Sequence, residues 1–355
     1  MIRLTLKLHR MELPREVIVG EDTLELVADI TRKLGFKKKA FIVSGFKTFE
    51  IAGRKVKEIL EDSGIEVEYS LVNSSTVNEV KLVEEKIEAV KPQVVFGVGG
   101  GTKIDVAKLS SARKGIPFIS VPTTASHDGI ASPVASVKGL SKPYSVMAQA
   151  PMAIIADTDV IIRADYRFIA SGCGDVIAKL TAVRDWKLAH MAKNEYYGEY
   201  AASLALMSAK LIVRNADLIK PGSIEGLHVL LEALISCGVA MSIAGSSRPC
   251  SGSEHLFSHA LDLLNSKHAM HGEQCGVGTI LMGYVHRVNW EKIKKTLEKV
   301  GAPTTAKELK LEPKAIVEAM VKAKEVRPER YTILNEKTLD FEYAEKIAKL
   351  TGVIE

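Results

Sequence analysis

The fold of this chain is decided by the stretch Val94-Val95-Phe96-Gly97-Val98-Gly99-Gly100-Gly101-Thr102-Lys103-Ile104-Asp105. An apolar, β-branched run leads directly into three glycines, and a helix is expected to follow. Because glycine has no Cβ, this backbone can approach a ligand closely, and the helix N-terminus offers free N–H groups to a phosphate. Thr102 replaces the third glycine of the usual dinucleotide loop, and the residues of a Walker A loop are missing. A tight structural turn is the alternative to the phosphate- or dinucleotide-binding loop that we favour.

Strand-like and helix-like segments alternate around this loop. The other apolar runs are Ala40–Ser44, Pro117–Val121 and Ile154–Asp157, and the amphipathic stretches between strands are Thr23–Leu34, Thr48–Asp62 and Asn78–Val90. This alternation predicts an α/β domain with a largely parallel sheet at residues 1–162. Helical periodicity then continues almost without interruption, which predicts an all-helical domain at residues 163–355. A cleft between two such domains is a common ligand site.

A second polar loop follows the next predicted strand, Val121-Pro122-Thr123-Thr124-Ala125-Ser126-His127-Asp128-Gly129. It is expected to emerge at the same carboxyl edge of the sheet as the glycines, where open α/β folds bind ligands. Its hydroxyl groups suit cofactor phosphates or the nicotinamide amide, and Asp128 suits substrate hydroxyls. Taken alone, the loop also fits an ordinary polar turn.

Histidines cluster in the second half of the chain. His255 and His259 are one helical turn apart, so they can converge on one metal or one substrate, while His268 and His271 follow closely. A solvated polar helix face is the alternative. A catalytic zinc site also needs a carboxylate, and the best candidate is Asp175, for which a helix N-cap is the alternative role.

Composition narrows the class of protein. The chain has 355 residues, 46% of them hydrophobic and 26% charged, which is typical of a globular protein and excludes a disordered one. A net charge of +5, spread along the chain, gives no reason to expect nucleic acid. The four cysteines are widely spaced, which indicates reduced thiols. No apolar run reaches the ~18–20 residues that a membrane span needs, and no signal peptide is visible, so we expect a cytoplasmic protein without membrane insertion. The apolar helices of the second half favour a homo-oligomer.

These motifs, in this order, resemble the family that unites glycerol dehydrogenases, iron-dependent alcohol dehydrogenases and dehydroquinate synthases. The resemblance covers nearly the whole chain. Within the family, the chain is most similar to the sn-glycerol-1-phosphate dehydrogenase branch, which serves archaeal membrane phospholipid synthesis. The glycine loop is common to the whole family. The specific motifs are Ser126-His127-Asp128-Gly129, Gly174-Asp175, Gly252-Ser253-Glu254-His255 with Ser258-His259, and His271-Gly272-Glu273.

The resemblance implies the fold and the roles of individual residues. The fold is a Rossmann-like N-terminal domain and a helical, metal-bearing C-terminal domain, with the active site between them. The implied metal ligands are Asp175, His255 and His271. The implied substrate-binding residues are Asp128, Asp175 and His259. Of these, Asp128 and His259 are also the implied catalytic residues. The implied cofactor residues are Gly99, Gly100, Gly101, Thr102, Lys103, Thr123, Thr124, Ala125, Ser126 and Ser132.

Departures from the relatives refine this interpretation. Iron-dependent alcohol dehydrogenases carry a further His ligand four residues after the aspartate, where this chain has Lys179. Three protein ligands suit one zinc ion per subunit with an open position, although nickel and iron remain open. Dehydroquinate synthases have a glutamate in place of Asp175, which counts against a synthase.

The activity implied by the resemblance is metal-dependent, reversible NAD(P)H reduction of dihydroxyacetone phosphate to sn-glycerol 1-phosphate. A zinc-dependent glycerol dehydrogenase is the main alternative. The strand Ala40–Val43 is followed by Ser44-Gly45-Phe46-Lys47, without an acidic residue for the ribose 2′-hydroxyl. We therefore predict that NADP is accepted as well as NAD. The residues that hold the substrate phosphate are not identified at this level, although Lys142, Arg163 and Arg248 are available.

Overall fold

A six-stranded parallel sheet forms the first part of the chain in the computed structural model, which describes residues 9–139, 145–264 and 269–355. Its strands are β1 (Glu16–Gly20), β2 (Lys39–Ser44), β3 (Glu66–Leu71), β4 (Val94–Gly99), β5 (Phe118–Pro122) and β8 (Ala153–Asp157). Their order is β1-β8-β5-β4-β2-β3, and every neighbouring pair is parallel. A short antiparallel pair, β6 (Val134–Ser136) and β7 (Ser145–Met147), lies beside the sheet.

Strands β1 and β3 were not predicted, because both lie at edges of the sheet. The four central strands are buried on both faces and are continuous apolar runs, which makes them easy to recognise. By contrast, β3 has the sequence EVEYSL and exposes three of its six residues, including Glu66 and Glu68. The predicted α/β fold class is nevertheless confirmed.

Helices cover both faces of the sheet. They are α1 (Val27–Lys33), α2 (Phe46–Thr48), α3 (Arg54–Asp62), α4 (Val77–Val90), α5 (Gly101–Arg113) and α6 (Thr158–Ile161). A 3₁₀ turn at Thr23–Leu26 precedes α1, and a π-helical segment at Phe49–Gly53 joins α2 to α3. One apolar cluster packs α1 and α3 against one face of the sheet. The cluster on the other face continues without a break into the helical second part.

The second part is helical throughout the described residues. Its helices are α7 (Tyr166–Ile177), α8 (Lys179–Lys193), α9 (Glu199–Asn215), α10 (Ile224–Ala244), α11 (Ser253–Leu264), α12 (His271–Val285), α13 (Trp290–Lys299), α14 (Pro313–Val326), α15 (Ile333–Glu336) and α16 (Phe341–Leu350). The last strand of the sheet ends at Asp157 and α7 begins at Tyr166. The division of the chain between residues 162 and 163 stays a prediction.

Helix α7 differs from the sequence-based expectation. The N-cap role considered for Asp175 requires a helix that begins next to it, near Gly174. Instead α7 begins eight residues earlier, and its N-cap is Asp165, whose side chain accepts a hydrogen bond from the backbone N–H of Arg167. Asp175 lies inside the last turn of α7 and is therefore available for another role.

Helix α10 is long and apolar enough to cross a membrane, with a mean hydropathy of 1.9 over an 18-residue window. Glu225 and Glu232 interrupt its apolar sequence, which is why the chain showed no continuous run. Two-thirds of that window is buried inside the protein, where α10 packs closely against α9. Such burial is typical of a core helix.

Candidate active site

The two polar loops lie side by side at the carboxyl edge of the sheet, as predicted, since Gly99 at the end of β4 is paired with Pro122 at the end of β5. A cavity of about 370 Å³ opens at this edge, and we call it the loop cavity. The predicted cofactor residues that line it are Gly100, Gly101, Thr102, Lys103, Thr123, Thr124 and Ser126. Gly99 lies beneath them, where its carbonyl accepts a hydrogen bond from the Thr123 N–H at 3.1 Å. Ala125 is buried below the loop, and Ser132 lines the neighbouring cavity.

The loop cavity has the features of a phosphate cradle. Gly99 has a φ of 151°, which L side chains rarely adopt. A Cβ on Gly100 would lie 3.2 Å from Thr124 Oγ1 and narrow the cavity. Among the described residues, the buried Oγ1 atoms of Thr123 and Thr124 have no hydrogen-bond partner. Buried hydroxyl groups are normally satisfied, so these two atoms point to a ligand, and the residues present fit a dinucleotide.

A second cavity, of about 420 Å³, lies against the helical part, and we call it the histidine cavity. Asp128, His255, His259 and Ser132 are among the residues that line it. Its wall shares Thr102, His127 and His271 with the loop cavity. The two cavities therefore adjoin each other, and a cofactor in one would lie next to a substrate in the other.

Four possible metal ligands meet beside the histidine cavity: Asp175, His255, His271 and Cys275. Each offers a ligand atom, and these atoms all lie within 4.8 Å of one another. His255 Nε2 is 3.6 Å from Asp175 Oδ1. Neighbouring ligand atoms around a tetrahedral zinc ion are about 3.3 Å apart, because Zn–N and Zn–O bonds are about 2.0 Å. The cluster thus fits a metal ion with little rearrangement.

Close helix packing brings the aspartate and histidine ligands together. Helix α7 carries Asp175, and α12 begins at His271. A Cβ on Gly174 would lie only 2.2 Å from the carbonyl oxygen of Gly272, so the two backbones touch where these glycines meet. Any larger residue at either position would push α7 and α12 apart and separate the two ligands.

Glu254 fixes the orientation of His255. Its buried carboxylate lies 2.8 Å from His255 Nδ1 through Oε1, and it accepts hydrogen bonds from Thr181 Oγ1 at 2.7 Å and from the Gly252 N–H at 2.7 Å. A carboxylate on Nδ1 leaves Nε2 free to face Asp175. Carboxylate–histidine pairs of this kind orient the imidazole and increase its basicity toward a metal.

A fully buried ammonium group joins the two active-site carboxylates. Lys179 Nζ lies 2.9 Å from Asp175 Oδ1 and 2.8 Å from Asp128 Oδ2. The backbone N–H of Asp128 also donates to Asp175 Oδ2 at 2.8 Å. Burial alone would raise the pKa of Asp175, but Lys179 and His255 lower this pKa well below its usual range. Burial would likewise lower the pKa of Lys179, but Asp128 and Asp175 raise it.

The other donors also have shifted pKa values. Burial opposes the charged form of His271, but the neighbouring Cys275 raises the pKa of His271 to about 9. Burial would raise the pKa of Cys275, yet His255 and His271 lower it to about 7. Without a metal, the cluster therefore favours a Cys275 thiolate beside protonated imidazole rings. A bound cation would take the place of the protons on these rings.

His259 lies next to the donor cluster without belonging to it. Its ring is nearly parallel to that of His271, with centroids 6.0 Å apart. Burial and the nearby His271 and His255 lower the pKa of His259 well below its usual value. His259 is thus a neutral imidazole at the wall of the cavity. His268 lies outside the described residues, and Asp262 also lines the cavity.

Several residues of this site were not predicted from the sequence. Cys275 is four residues after His271, a spacing that signals a shared helix face. Lys179 was considered only as the residue that replaces the further histidine ligand of the iron-dependent alcohol dehydrogenases. The loop at residues 73–75 lines the histidine cavity, and Lys103 Nζ donates to the carbonyl of Asn73 at 3.1 Å. That loop follows β3, which was itself not predicted.

Comparison with known proteins places this site in context. The chain is 55% identical over 347 residues to the glycerol-1-phosphate dehydrogenase [NAD(P)+] of Pyrococcus furiosus, covering 98% of this chain and 100% of the relative. It is 54% identical to the enzyme of the same name from Thermococcus kodakarensis, covering 98% and 99%. The model of the iron-containing alcohol dehydrogenase family matches residues 18–165.

Solved structures share the fold at lower identity. The crystal structure of glycerol dehydrogenase from Schizosaccharomyces pombe superimposes with a TM-score of 0.80, at 20% identity, covering 97% of this chain and 90% of that one. At this level of identity the likeness establishes the fold alone. It agrees with the arrangement of a parallel α/β part followed by a helical part.

Proposed function

Since the chain belongs to the glycerol-1-phosphate dehydrogenase [NAD(P)+] family, we propose that it catalyses the reversible reduction of dihydroxyacetone phosphate to sn-glycerol 1-phosphate with NADH or NADPH. The observation that carries the proposal is the position of the donor cluster Asp175, His255 and His271 beside two adjoining cavities. One cavity suits the phosphates of a dinucleotide, and the other suits a small substrate next to a metal ion.

Zinc is the metal we propose, one ion per subunit, held by Asp175, His255 and His271. A catalytic zinc site keeps one position open, so Cys275 is expected to remain outside the ligand set. The zinc ion supplies Lewis acidity toward the ketone oxygen, and the reduced nicotinamide supplies the hydride. Glu254 orients His255, and Lys179 fixes the distance between Asp175 and Asp128.

The proton chemistry is assigned to residues of the histidine cavity. His259 is neutral because its pKa is lowered by burial and by neighbouring histidines, so it can accept the alcohol proton in the direction of oxidation. The same imidazole returns that proton in the direction of reduction. Asp128 is held by Lys179 and lines the cavity, where it can accept a hydrogen bond from a substrate hydroxyl.

The cofactor is assigned to the loop cavity, with its phosphates over Gly99 to Lys103 and against Thr123 to Ser126. Ser132 would lie near the nicotinamide end, because it lines the histidine cavity rather than the loop cavity. The proposal includes a cytoplasmic enzyme that forms a homo-oligomer and uses no nucleic acid or membrane anchor. A role in membrane phospholipid synthesis follows from the product.

The proposal is tested by NADH oxidation with dihydroxyacetone phosphate, on metal-free and zinc-restored protein, with chiral analysis of the product. Zinc-dependent oxidation that yields sn-glycerol 1-phosphate is the expected result. Absence of this reaction, together with zinc-dependent oxidation of free glycerol by NAD, would instead assign the chain to glycerol dehydrogenase. NADH consumption by the metal-free protein would contradict the metal site.

A further inference from the structure

Three guanidinium groups gather behind one wall of the histidine cavity: Arg248, Arg327 and Arg330. Arg248 is neutralised, because it binds both carboxylate oxygens of Glu195 and donates to the carbonyl of Tyr331 at 2.9 Å. Arg327 lies 3.5 Å from Glu329. Arg330 differs from both, because its contacts within the described residues include no carboxylate.

Arg330 is hydrogen-bonded to two residues that line the histidine cavity. Its guanidinium donates to the backbone carbonyl of Ser251 and, at 2.7 Å, to Ser247 Oγ. Ser247 and Ser251 both line the histidine cavity, together with His255 and His259. These two bonds leave further N–H donors on Arg330, which carries five in a rigid planar fork.

The charge balance at this wall favours an anion. Burial, together with the neighbouring Arg327 and Arg248, lowers the pKa of Arg330 to about 9. The charges of Arg327 and Arg330 also contribute to the lowered pKa of His259 across the wall, after burial and the other histidines. The half-buried guanidinium of Arg330 is repelled by two others and is bonded only to neutral oxygens, so its contacts supply no counter-charge. A doubly charged anion in the cavity would supply one.

We propose that Arg330 and Ser247 form the subsite for the phosphate group of the substrate, an inference that rests on the proposed function and deepens it. The guanidinium fork matches the geometry of phosphate oxygens, and the Ser247 hydroxyl adds a neutral donor. The metal ligands and this subsite then hold opposite ends of the substrate. The enzyme would thereby distinguish a phosphorylated ketone from the free triose.

The other available cations fit this role less well. Arg248 is occupied by Glu195. Arg163 is exposed and lines neither cavity, and unlike Arg330 it makes no hydrogen bond, among the described residues, to a residue that does. Lys142 lies outside the described residues. Lys138 does line the histidine cavity, but it is exposed and belongs to the α/β part, where its backbone N–H donates to the carbonyl of Ser75. It serves as the competing assignment in the test.

The test compares dihydroxyacetone phosphate with unphosphorylated dihydroxyacetone, using the zinc-loaded enzyme and its variants. Arg330→Met is expected to raise KM for the phosphorylated substrate by about 100-fold, with kcat changed less than about threefold, because charge-assisted hydrogen bonds are lost. For dihydroxyacetone, kcat/KM should stay within about twofold, so the preference for phosphate collapses. Ser247→Ala keeps the guanidinium and should raise only KM for the phosphorylated substrate, by about fivefold.

Arg184→Met is the control, because Arg184 also donates to one backbone carbonyl, but it is exposed and lines a different cavity. It should leave both substrates unchanged. Zinc content and thermal unfolding establish that each variant is folded, and Ser247→Ala decides the matter if Arg330→Met does not fold.

The outcomes separate the two proposals. A wild-type enzyme with no preference for the phosphorylated substrate would overturn the proposed function. A wild-type enzyme with that preference, retained in both Arg330→Met and Ser247→Ala, would overturn this subsite alone. Loss of the preference in Lys138→Met but not in Arg330→Met would assign the phosphate to Lys138 and overturn this subsite.

Discussion

Lys179 and Asp175 form a buried ion pair one helical turn apart, with 2.9 Å between Lys179 Nζ and Asp175 Oδ1, across the junction of α7 and α8. Lys179 also binds Asp128, which comes from the loop after β5. One ammonium group therefore ties the helical part to the α/β part at the active site. It also offsets the negative charge that two adjacent carboxylates would otherwise concentrate beside the metal ligands.

Replacing Lys179 by Met is expected to damage both stability and metal binding. Removing one partner of a buried ion pair leaves an uncompensated charge, which costs about 3–5 kcal/mol. We therefore expect a lower melting temperature, weaker zinc binding and a loss of activity of at least about 100-fold. Differential scanning calorimetry and zinc competition with a chromophoric chelator measure the first two effects.

Lys187→Met is the control for this substitution, because Lys187 is an exposed lysine on the same helix. Lys187→Met should change neither the melting temperature nor the zinc binding. A Lys179→Met protein that melted at the wild-type temperature and retained its zinc would show that the ion pair is not needed to position Asp175.

His271 and Cys275 belong to the same cluster but should respond differently to substitution. His271→Ala should reduce bound zinc from one ion per subunit to nearly none and abolish turnover, because a catalytic site has only three protein ligands. Cys275→Ser removes the thiol while preserving its size and should keep zinc and most activity. Zinc content by elemental analysis, measured alongside kcat, distinguishes the two variants.

The reverse result would change the ligand assignment. If Cys275→Ser lost its zinc and His271→Ala kept it, the thiolate would be a ligand and His271 would not. Cys173→Ser is a control for general effects of removing a buried thiol, since Cys173 lies outside this donor cluster and outside the group that Cys237 and Cys250 form with Asp128.

Zinc affinity should rise with pH. The pKa of His271 is raised from 6.5 to about 9, since Cys275 overcomes the effect of burial, so the imidazole carries a proton at neutral pH in the metal-free protein. Zinc binds only the neutral ring and must displace that proton. The pKa of His255, the other histidine ligand, is also raised well above its usual value, so zinc displaces up to two protons. Affinity is therefore expected to increase by more than about tenfold per pH unit between about pH 7 and pH 9, and less steeply above.

Chelator competition at several pH values measures this slope. The Cys275→Ser variant provides an internal comparison, because losing the thiolate removes the main cause of the raised His271 pKa. Its affinity should level off at a lower pH than that of the wild type. A pH-independent affinity in both proteins would contradict the assignment of His271 as a ligand.

Sequence patterns predicted the parts of the fold that depend on burial on both sides. The central strands β2, β4, β5 and β8 are continuous apolar runs, whereas the edge strands β1 and β3 are half exposed and lack that signal. The junction between α7 and α8 was also missed, because the apolar periodicity runs across Ala178 and only tertiary contacts place the break there.

The candidate site was only partly predictable, because it depends on contacts between residues that are far apart in the sequence. The i, i+4 spacing of His255 and His259 predicts that the two rings share a face, but His259 is not in the donor cluster. Asp175 and Lys179 acquire their roles from Asp128, which lies about fifty residues earlier in the chain. Such long-range pairing has no local signature, so the resemblance to a family supplied what spacing alone did not.

Lys47 is expected to control the use of NADP. It is exposed, it lies three residues after the end of β2, and its neighbour Thr48 lines the loop cavity. In dinucleotide-binding folds the corresponding acidic residue binds the ribose 2′-hydroxyl and repels a 2′-phosphate, whereas a cation attracts that phosphate. Lys47→Glu should therefore raise KM for NADPH by about tenfold at low ionic strength and change KM for NADH by less than about twofold. Steady-state kinetics with both cofactors measure this, and Lys37→Glu, an exposed charge reversal before β2, is the control. Equal effects on NADPH and NADH would mean that Lys47 does not face the 2′ position, and a wild-type preference for NAD of a hundredfold or more would remove the premise.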